Sequence, residues 1–118
     1  MSRARRRAAG RRAAVTGSAP IFAALGDETR LRLVTRLGAG GPLSIAELTQ
    51  GTRVTRQAIT KHLHVLAEAG VVQGSRQGRE SRWELDRARL AEARRALDVI
   101  SRQWDHTLAR LKEFVERD

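Results

Sequence analysis

The chain has 118 residues, no cysteine and a formal net charge of +10. This length suits one domain with a single core. The lack of cysteine excludes disulfides, thiolate nucleophiles and cysteine-based zinc sites. No apolar run approaches the roughly 18 residues that a membrane span needs. The basic start is not followed by the apolar stretch of a secretory signal, so we expect a cytoplasmic protein.

The positive charge is concentrated in two segments. Residues 1–18 contain six arginines and no acidic residue. Residues 53–82 contain six basic residues against two acidic ones, and in the rest of the chain the two signs cancel. This asymmetry favours a polyanionic partner.

The N-terminal segment, residues 1–17, is rich in Arg, Ala and Gly. Its apolar content is too low to form a core, which predicts a disordered basic arm. We therefore expect the folded domain to comprise residues 18–118.

Two helices are predicted to open this domain. Ser18 can cap a short helix with Pro20 in its first turn. The inward-facing residues of this helix would be Ile21, Phe22 and Leu25. Asp27 can cap the second helix, and the segment GAGGP at 38–42 ends it. In that helix, the residues that recur at the spacing of one buried face are Leu31, Val34 and Leu37.

A short helix and a longer one are predicted next. Ser44 followed by Glu47 is a capping-box pattern for a short third helix. After a tight turn, Thr55 can cap a fourth helix, and Gly70 supplies its stop. The apolar stripe of the fourth helix comprises Ala58, Ile59, Leu63, Leu66 and Ala69. The order is helix, turn, helix.

After Gly70, the spacing of the apolar residues changes from the period of a helix to that of a strand. Val71 and Val72 open one strand, and Trp83 and Leu85 lie two apart on the next. With a turn around Gln77-Gly78, the segment predicts a β-hairpin.

The final segment, residues 87–117, contains no Gly or Pro and predicts one long helix. Its apolar residues recur at intervals of seven, which is typical of a helix that packs against another helix. We expect the partner to be a second copy of the chain, because so long a helix would overhang a domain of this size. The alternative is that the helix folds back on its own core. The predicted dimer interface comprises Ile21, Phe22, Leu90, Leu97, Ile100, Trp104, Leu108 and Leu111.

Four stretches in this order resemble the ArsR/SmtB family of winged helix-turn-helix transcriptional repressors. They are ALGDETRLRLVTRL (24–37), LSIAEL (43–48), VTRQAITKHLHVLAEAGVV (54–72) and GRESRWEL (78–85). The resemblance implies a mainly α fold with a small β-hairpin, dimeric through its terminal helices. It also implies a DNA-binding repressor, expected to be autoregulatory, that acts as a homodimer on an inverted-repeat operator.

The fourth predicted helix is the expected DNA-reading element. Its apolar stripe leaves Arg56, Gln57, Thr60 and Lys61 on the opposite face, with side chains suited to base edges and phosphates. By resemblance, these four positions read DNA in the family. The flanking Arg53, Thr55 and His62, and the hairpin residues Arg76, Arg79 and Arg82, complete the predicted DNA-binding set. The alternative for each is an ordinary solvated surface residue.

The resemblance also raises the question of metal sensing. The family's sensing sites use a Cys-x-Cys pair, or an Asp-x-His and His-x-x-Glu set on the last helix. The first set needs cysteine, and the single histidine of the last helix does not reproduce the second. His62 and His64 point about 200° apart on a helix and cannot share an ion. We expect no metal and no cofactor.

The sequence also bears on other classes of function. No nucleophile motif or phosphate-binding glycine loop is present, so an enzyme is not expected. A winged helix used for RNA or protein contacts is a further alternative, although the scarcity of aromatic residues disfavours single-strand stacking. The C-terminal segment resembles a branch of the family without metal ligands. Regulation by a small-molecule effector is a further alternative, with a pocket around Phe22, Trp104 and Leu108.

Overall fold

The computed structural model describes the backbone of residues 2–117 and, within that range, every side chain except those of residues 13, 14 and 77. In this range the chain is mainly helical with one two-stranded antiparallel hairpin, as predicted. The elements are α1 (Arg3–Gly17), α2 (Ala19–Leu25), α3 (Glu28–Gly40), α4 (Ile45–Thr49), α5 (Arg56–Glu68), β1 (Val72–Gln77), β2 (Glu80–Leu85) and α6 (Arg87–Glu116). They form two compact units, Ala19–Leu90 and Met1–Ser18 with Ala91–Asp118. No helix in the described range is long and apolar enough to cross a membrane.

Three predicted helix starts are confirmed by their caps. The Asp27 carboxylate accepts the Arg30 N–H at 3.0 Å and begins α3. Ser44 and Glu47 form both hydrogen bonds of a capping box at α4. The Thr55 hydroxyl accepts the Ala58 N–H at 3.1 Å and begins α5. Each cap supplies a partner to a backbone N–H that the helix itself leaves unpaired.

The core of the unit Ala19–Leu90 is formed by aliphatic side chains from several elements. Its fully buried members are Ile21, Leu37, Leu48, Ile59, Leu63, Leu66 and Val71. The predicted stripe of α5 is confirmed at Ile59, Leu63 and Leu66. On α3 the prediction was wrong for Leu31, whose side chain is 50% exposed. The inward face of α3 instead carries Leu33 and Leu37, because residues four apart share a helix face.

The hairpin closes through a two-residue turn. Gln77 pairs with Glu80, so Gly78 and Arg79 form the turn, and Gly78 has a positive φ of 63°. A positive φ at the first turn residue alone is the pattern of a type II′ turn, which matches the twist of a hairpin. Leu43 adds a bridge to β2, exchanging hydrogen bonds with Trp83 at 2.8 and 2.9 Å. The hairpin is therefore fixed to the segment that leads into α4.

The N-terminal segment is helical, where the composition predicted a disordered arm. The Ser2 hydroxyl caps α1 by accepting the Arg5 N–H at 3.2 Å. Ala and Arg have high helix propensity, and this preference acts without an apolar stripe. Ser18, the predicted cap of α2, is the C-terminal cap residue of α1. The domain boundary at Ser18 also differs from the compact units, since residues 1–18 group with 91–118.

One long helix was predicted over residues 87–117 from the absence of Gly and Pro, and α6 is a helix of 30 residues, Arg87–Glu116. Ala93, Ala96 and Val99 are buried. From residue 100 to residue 117 every side chain is exposed in the single chain. At 1.5 Å per residue the helix is about 45 Å long.

Candidate nucleic-acid interface

The outward face of α5 carries the four residues predicted to read DNA. Arg56, Gln57 and Lys61 are exposed, and Thr60 is half-buried. The Thr60 hydroxyl donates to the Arg56 carbonyl oxygen at 2.8 Å, which leaves its lone pairs free to accept. The buried stripe lies on the other side of the helix. This arrangement displays two cations, an amide and a hydroxyl side by side.

Further predicted residues surround this face. Arg53 and Thr55 are exposed immediately before α5, although the Thr55 hydroxyl is also the helix cap. On the hairpin, Arg76 and Arg79 are exposed, and neither forms an ion pair with any residue in the described range. These guanidinium groups are available to an external anion.

Arg82, which was expected to contact DNA, is instead held within the chain. Its side chain is 24% exposed, with Nη1 lying 3.1 Å from Glu47 Oε1 and donating to the Pro42 carbonyl oxygen at 3.1 Å. Nη2 donates to Glu80 Oε2 at 3.0 Å. The pKa of Glu47 is lowered, first by the hydrogen bond from the Ser44 backbone N–H and also by the Arg82 charge. Arg82 therefore fastens the hairpin to α4.

His62 occupies the inner edge of the candidate interface. Its Nδ1 lies 3.3 Å from Arg30 Nη1 and 3.9 Å from Asp27 Oδ2. The pKa of Asp27 is lowered, first by the hydrogen bond from the Arg30 backbone N–H. Desolvation opposes this effect, and the Arg30 and His62 charges lower the pKa further. His62 thus links α5 to the start of α3. His64 is exposed, and its ring centroid lies 6.0 Å from that of Trp83.

Sequence reasoning missed two arginines that position this surface. Arg30 donates from Nε to the Ala24 carbonyl oxygen at 2.5 Å, and its Nη1 lies beside Nδ1 of His62. Arg36 donates to the carbonyl oxygens of Leu48 at 2.5 Å and Glu47 at 2.7 Å, at the end of α4. Helix periodicity could identify neither role, because the partners lie outside α3.

The predicted dimer residues divide into two groups. Leu97, Ile100, Trp104, Leu108 and Leu111 are exposed in the single chain, and Trp104 reaches 62% exposure. The prediction was wrong for Ile21, whose side chain is 0% exposed and belongs to the core. Phe22 and Leu90 are half-buried. Across residues 2–117, no three His, Asp or Glu side chains are grouped so that they could hold a metal ion.

Comparison with known proteins places this arrangement in a family. A family model described as a helix-turn-helix domain matches residues 25–74. The chain is 36% identical to the HTH-type transcriptional regulator Rv2034 of Mycobacterium tuberculosis over 95 residues, which cover 80% of this chain and 85% of the relative.

Solved structures agree in fold. An ArsR-like transcriptional regulator from Rhodococcus superposes with a TM-score of 0.71 at 39% identity, covering 84% of this chain and 92% of that one. The transcriptional repressor BigR from Xylella fastidiosa gives a TM-score of 0.58 at 28% identity, covering 85% and 96%. The fold and the outward face of α5 therefore define a winged helix-turn-helix DNA-binding protein. The chain belongs to the ArsR-like family of transcriptional regulators.

Proposed function

We propose that the protein is a repressor that binds an inverted-repeat operator as a homodimer and acts on its own promoter. The observation that carries this proposal is the outward face of α5, where Arg56, Gln57 and Lys61 are exposed together. The repressor function of BigR, a structural relative, supports the same direction of regulation.

The chemistry of this face suits the major groove of a DNA duplex. Arg and Lys donate to the O6 and N7 atoms of guanine, and Gln pairs with the N6 and N7 atoms of adenine. Because α5 follows a short helix and a turn, its first residues are the ones that reach base edges in a helix-turn-helix. Arg53, Arg76 and Arg79 would contact phosphates beside the groove. In this proposal Arg82 has a structural role and makes no DNA contact.

The homodimer is supported by the apolar seam of α6, defined here as Leu97, Ile100, Trp104, Leu108 and Leu111. These large side chains are exposed in the single chain. Leu97, Trp104 and Leu111 recur every seven residues, the spacing with which one helix packs on another. A contiguous apolar surface of this kind marks an interaction site. A second copy of the chain would cover it and would present a second α5 to the other half-site.

A gel-shift titration with the DNA upstream of the gene tests the proposal. Wild-type protein should bind this DNA more tightly than a scrambled duplex at moderate salt. The double variant Arg56→Ala with Lys61→Ala should lose specific binding and remain dimeric. The control Arg94→Ala with Arg117→Ala removes two exposed charges, one on α6 and one immediately after it, and should retain specificity.

Three results would contradict the proposal. Equal affinity for operator and scrambled DNA would contradict sequence-specific binding. Preference for RNA over the DNA duplex would favour an RNA-binding winged helix. Retained operator affinity in the Arg56/Lys61 variant would contradict the assignment of these two residues to DNA reading.

A further inference from the structure

A groove runs between α1 and α6, within the unit formed by residues 1–18 and 91–118. It comprises one cavity of about 620 Å³ and another of about 400 Å³. The two cavities share Arg11, Val99 and Arg102 in their linings, so they are parts of one depression. We call it the arginine groove, because its lining includes Arg7, Arg11, Arg95, Arg102 and Arg110.

The charge of the arginine groove is not balanced. Asp98 is the one acidic residue among the described lining residues of both cavities. None of the five arginines forms an ion pair with an acidic side chain in the described range. Cations gathered in a concave surface raise its positive potential and attract anions. A bound anion would relieve the repulsion between these arginines.

The geometry of the groove suits a small ligand. Arg7 and Arg11 are four residues apart and share one face of α1, while Arg95 and Arg102 are seven apart and share one face of α6. Val99 lies between the α6 arginines and is 8% exposed, which gives the groove an apolar floor. Guanidinium groups offer planar pairs of donors to carboxylate or phosphate oxygens. Donors from two helices would hold two anionic groups of one molecule.

The arginine groove lies on the side of α6 away from the apolar seam. Arg102 and Trp104 are two residues apart, so their side chains point about 200° apart around the helix. Arg95 and Leu97 have the same relation. A second copy of the chain on the seam and an anion in the groove therefore do not compete for the same face of α6.

We propose that the arginine groove binds a small organic anion with at least two negative charges, whose apolar part rests on Val99. The concave surface between two helices and the apolar floor favour such a molecule over a DNA backbone, which offers phosphates and no apolar surface of this kind. The proposal does not depend on the proposed reading of DNA by α5.

Pyrophosphate serves as the probe for the charged part of the site. In isothermal titration calorimetry at low salt, the full-length protein should bind pyrophosphate. Arg11→Gln with Arg102→Gln should weaken this binding at least tenfold. The control Arg6→Gln with Arg94→Gln makes the same change of charge on the same two helices outside the groove, and should change the affinity less than twofold. Circular dichroism would show whether each variant keeps the wild-type helix content.

Thermal unfolding gives a second measurement that needs no DNA. Pyrophosphate should raise the melting temperature of the wild type and of the control, and should leave the Arg11/Arg102 variant unchanged. Absence of pyrophosphate binding, or equal weakening in both double variants, would overturn the proposal. Loss of operator binding in the Arg11/Arg102 variant with unchanged pyrophosphate affinity would also overturn it, by assigning the groove to DNA.

Discussion

At the residue scale, Asp27 joins the start of α3 to the inner edge of the candidate nucleic-acid interface. Its carboxylate caps the helix and lies near both Arg30 and His62. The pKa of Asp27 is lowered in the folded chain, first by the hydrogen bond from the Arg30 backbone N–H. The ionised carboxylate therefore stabilises the fold above the ordinary aspartate value of 3.8, and this contribution is lost as the pH falls through the lower folded-state pKa.

Replacing Asp27 tests this linkage. Asn is also a good N-cap, so Asp27→Asn should fold but lack the titrating group. The wild type should be the more stable protein at pH 6, and the difference should shrink as the pH falls below 3.8. Urea unfolding followed at a series of pH values measures both free energies of unfolding. A difference that stays constant from pH 6 to pH 2 would contradict the assigned role.

Arg82 leads to a prediction about stability rather than binding. Its guanidinium is held by Glu47, Glu80 and the Pro42 carbonyl oxygen. Arg82→Gln should lower the free energy of unfolding by about 1–3 kcal/mol, because hydrogen bonds to charged groups are lost. Arg79→Gln, at an exposed hairpin position, should change it by less than about 0.5 kcal/mol. Chemical denaturation compares the two variants, and equal stability would contradict the structural role of Arg82.

The sequence predicted the direction of some basic side chains but not the partners of others. The outward direction of Arg56 and Lys61 follows from the period of a helix, and the structure has both exposed. The partners of Arg82 include a carbonyl oxygen 40 residues earlier in the chain, and those of Arg36 lie 11 and 12 residues later. Such pairings depend on how helices and hairpin pack, which the spacing of residues does not reveal.

At the scale of elements, local signals predicted the caps and the hairpin correctly. Ser44, Glu47 and Thr55 act through hydrogen bonds within three residues, so the sequence contains both partners. The helix α1 was missed because its composition was taken as evidence for disorder, although Arg and Ala favour a helix. For Leu31, the wrong face of α3 was chosen because apolar residues occur on two sides of that helix.

The hairpin turn gives an element-scale prediction with a matched control. Gly78 has a φ of 63°, so Gly78→Ala places a side chain in a backbone conformation that it rarely adopts. We expect a loss of about 1–2 kcal/mol in stability. Gly74 lies in β1 at a negative φ with nothing within 4 Å of an added Cβ, so Gly74→Ala should be neutral or slightly stabilising. Thermal unfolding of the two variants measures the contrast, which equal melting temperatures would refute.

At the scale of the whole molecule, two surfaces of α6 have opposite character. The apolar seam and the arginine groove both follow from the 3.6-residue period, but only the seam was recognised in the sequence. The groove was missed because it needs a helical α1, and residues 1–17 were expected to be disordered. Of the two α2 residues predicted at the dimer interface, Ile21 is part of the core instead.

The apolar seam leads to a prediction about assembly. Leu97 and Leu31 are 52% and 50% exposed, so an exposed leucine can be changed on the seam and away from it. Leu97→Glu should raise the dissociation constant of the dimer at least tenfold, because it places a charge in an apolar contact. Leu31→Glu should leave it unchanged. Analytical ultracentrifugation measures both, and a dimer that tolerates Leu97→Glu would contradict the proposed interface.

The contacts of Arg36 have a consequence for how the molecule opens. A helix of five residues such as α4 has almost no stability by itself. Two of its terminal carbonyl oxygens are bound by the side chain of Arg36, which belongs to α3. The amide hydrogens of α4 should therefore exchange with solvent at the rate set by the opening of α3, so that the two helices behave as one cooperative folding unit.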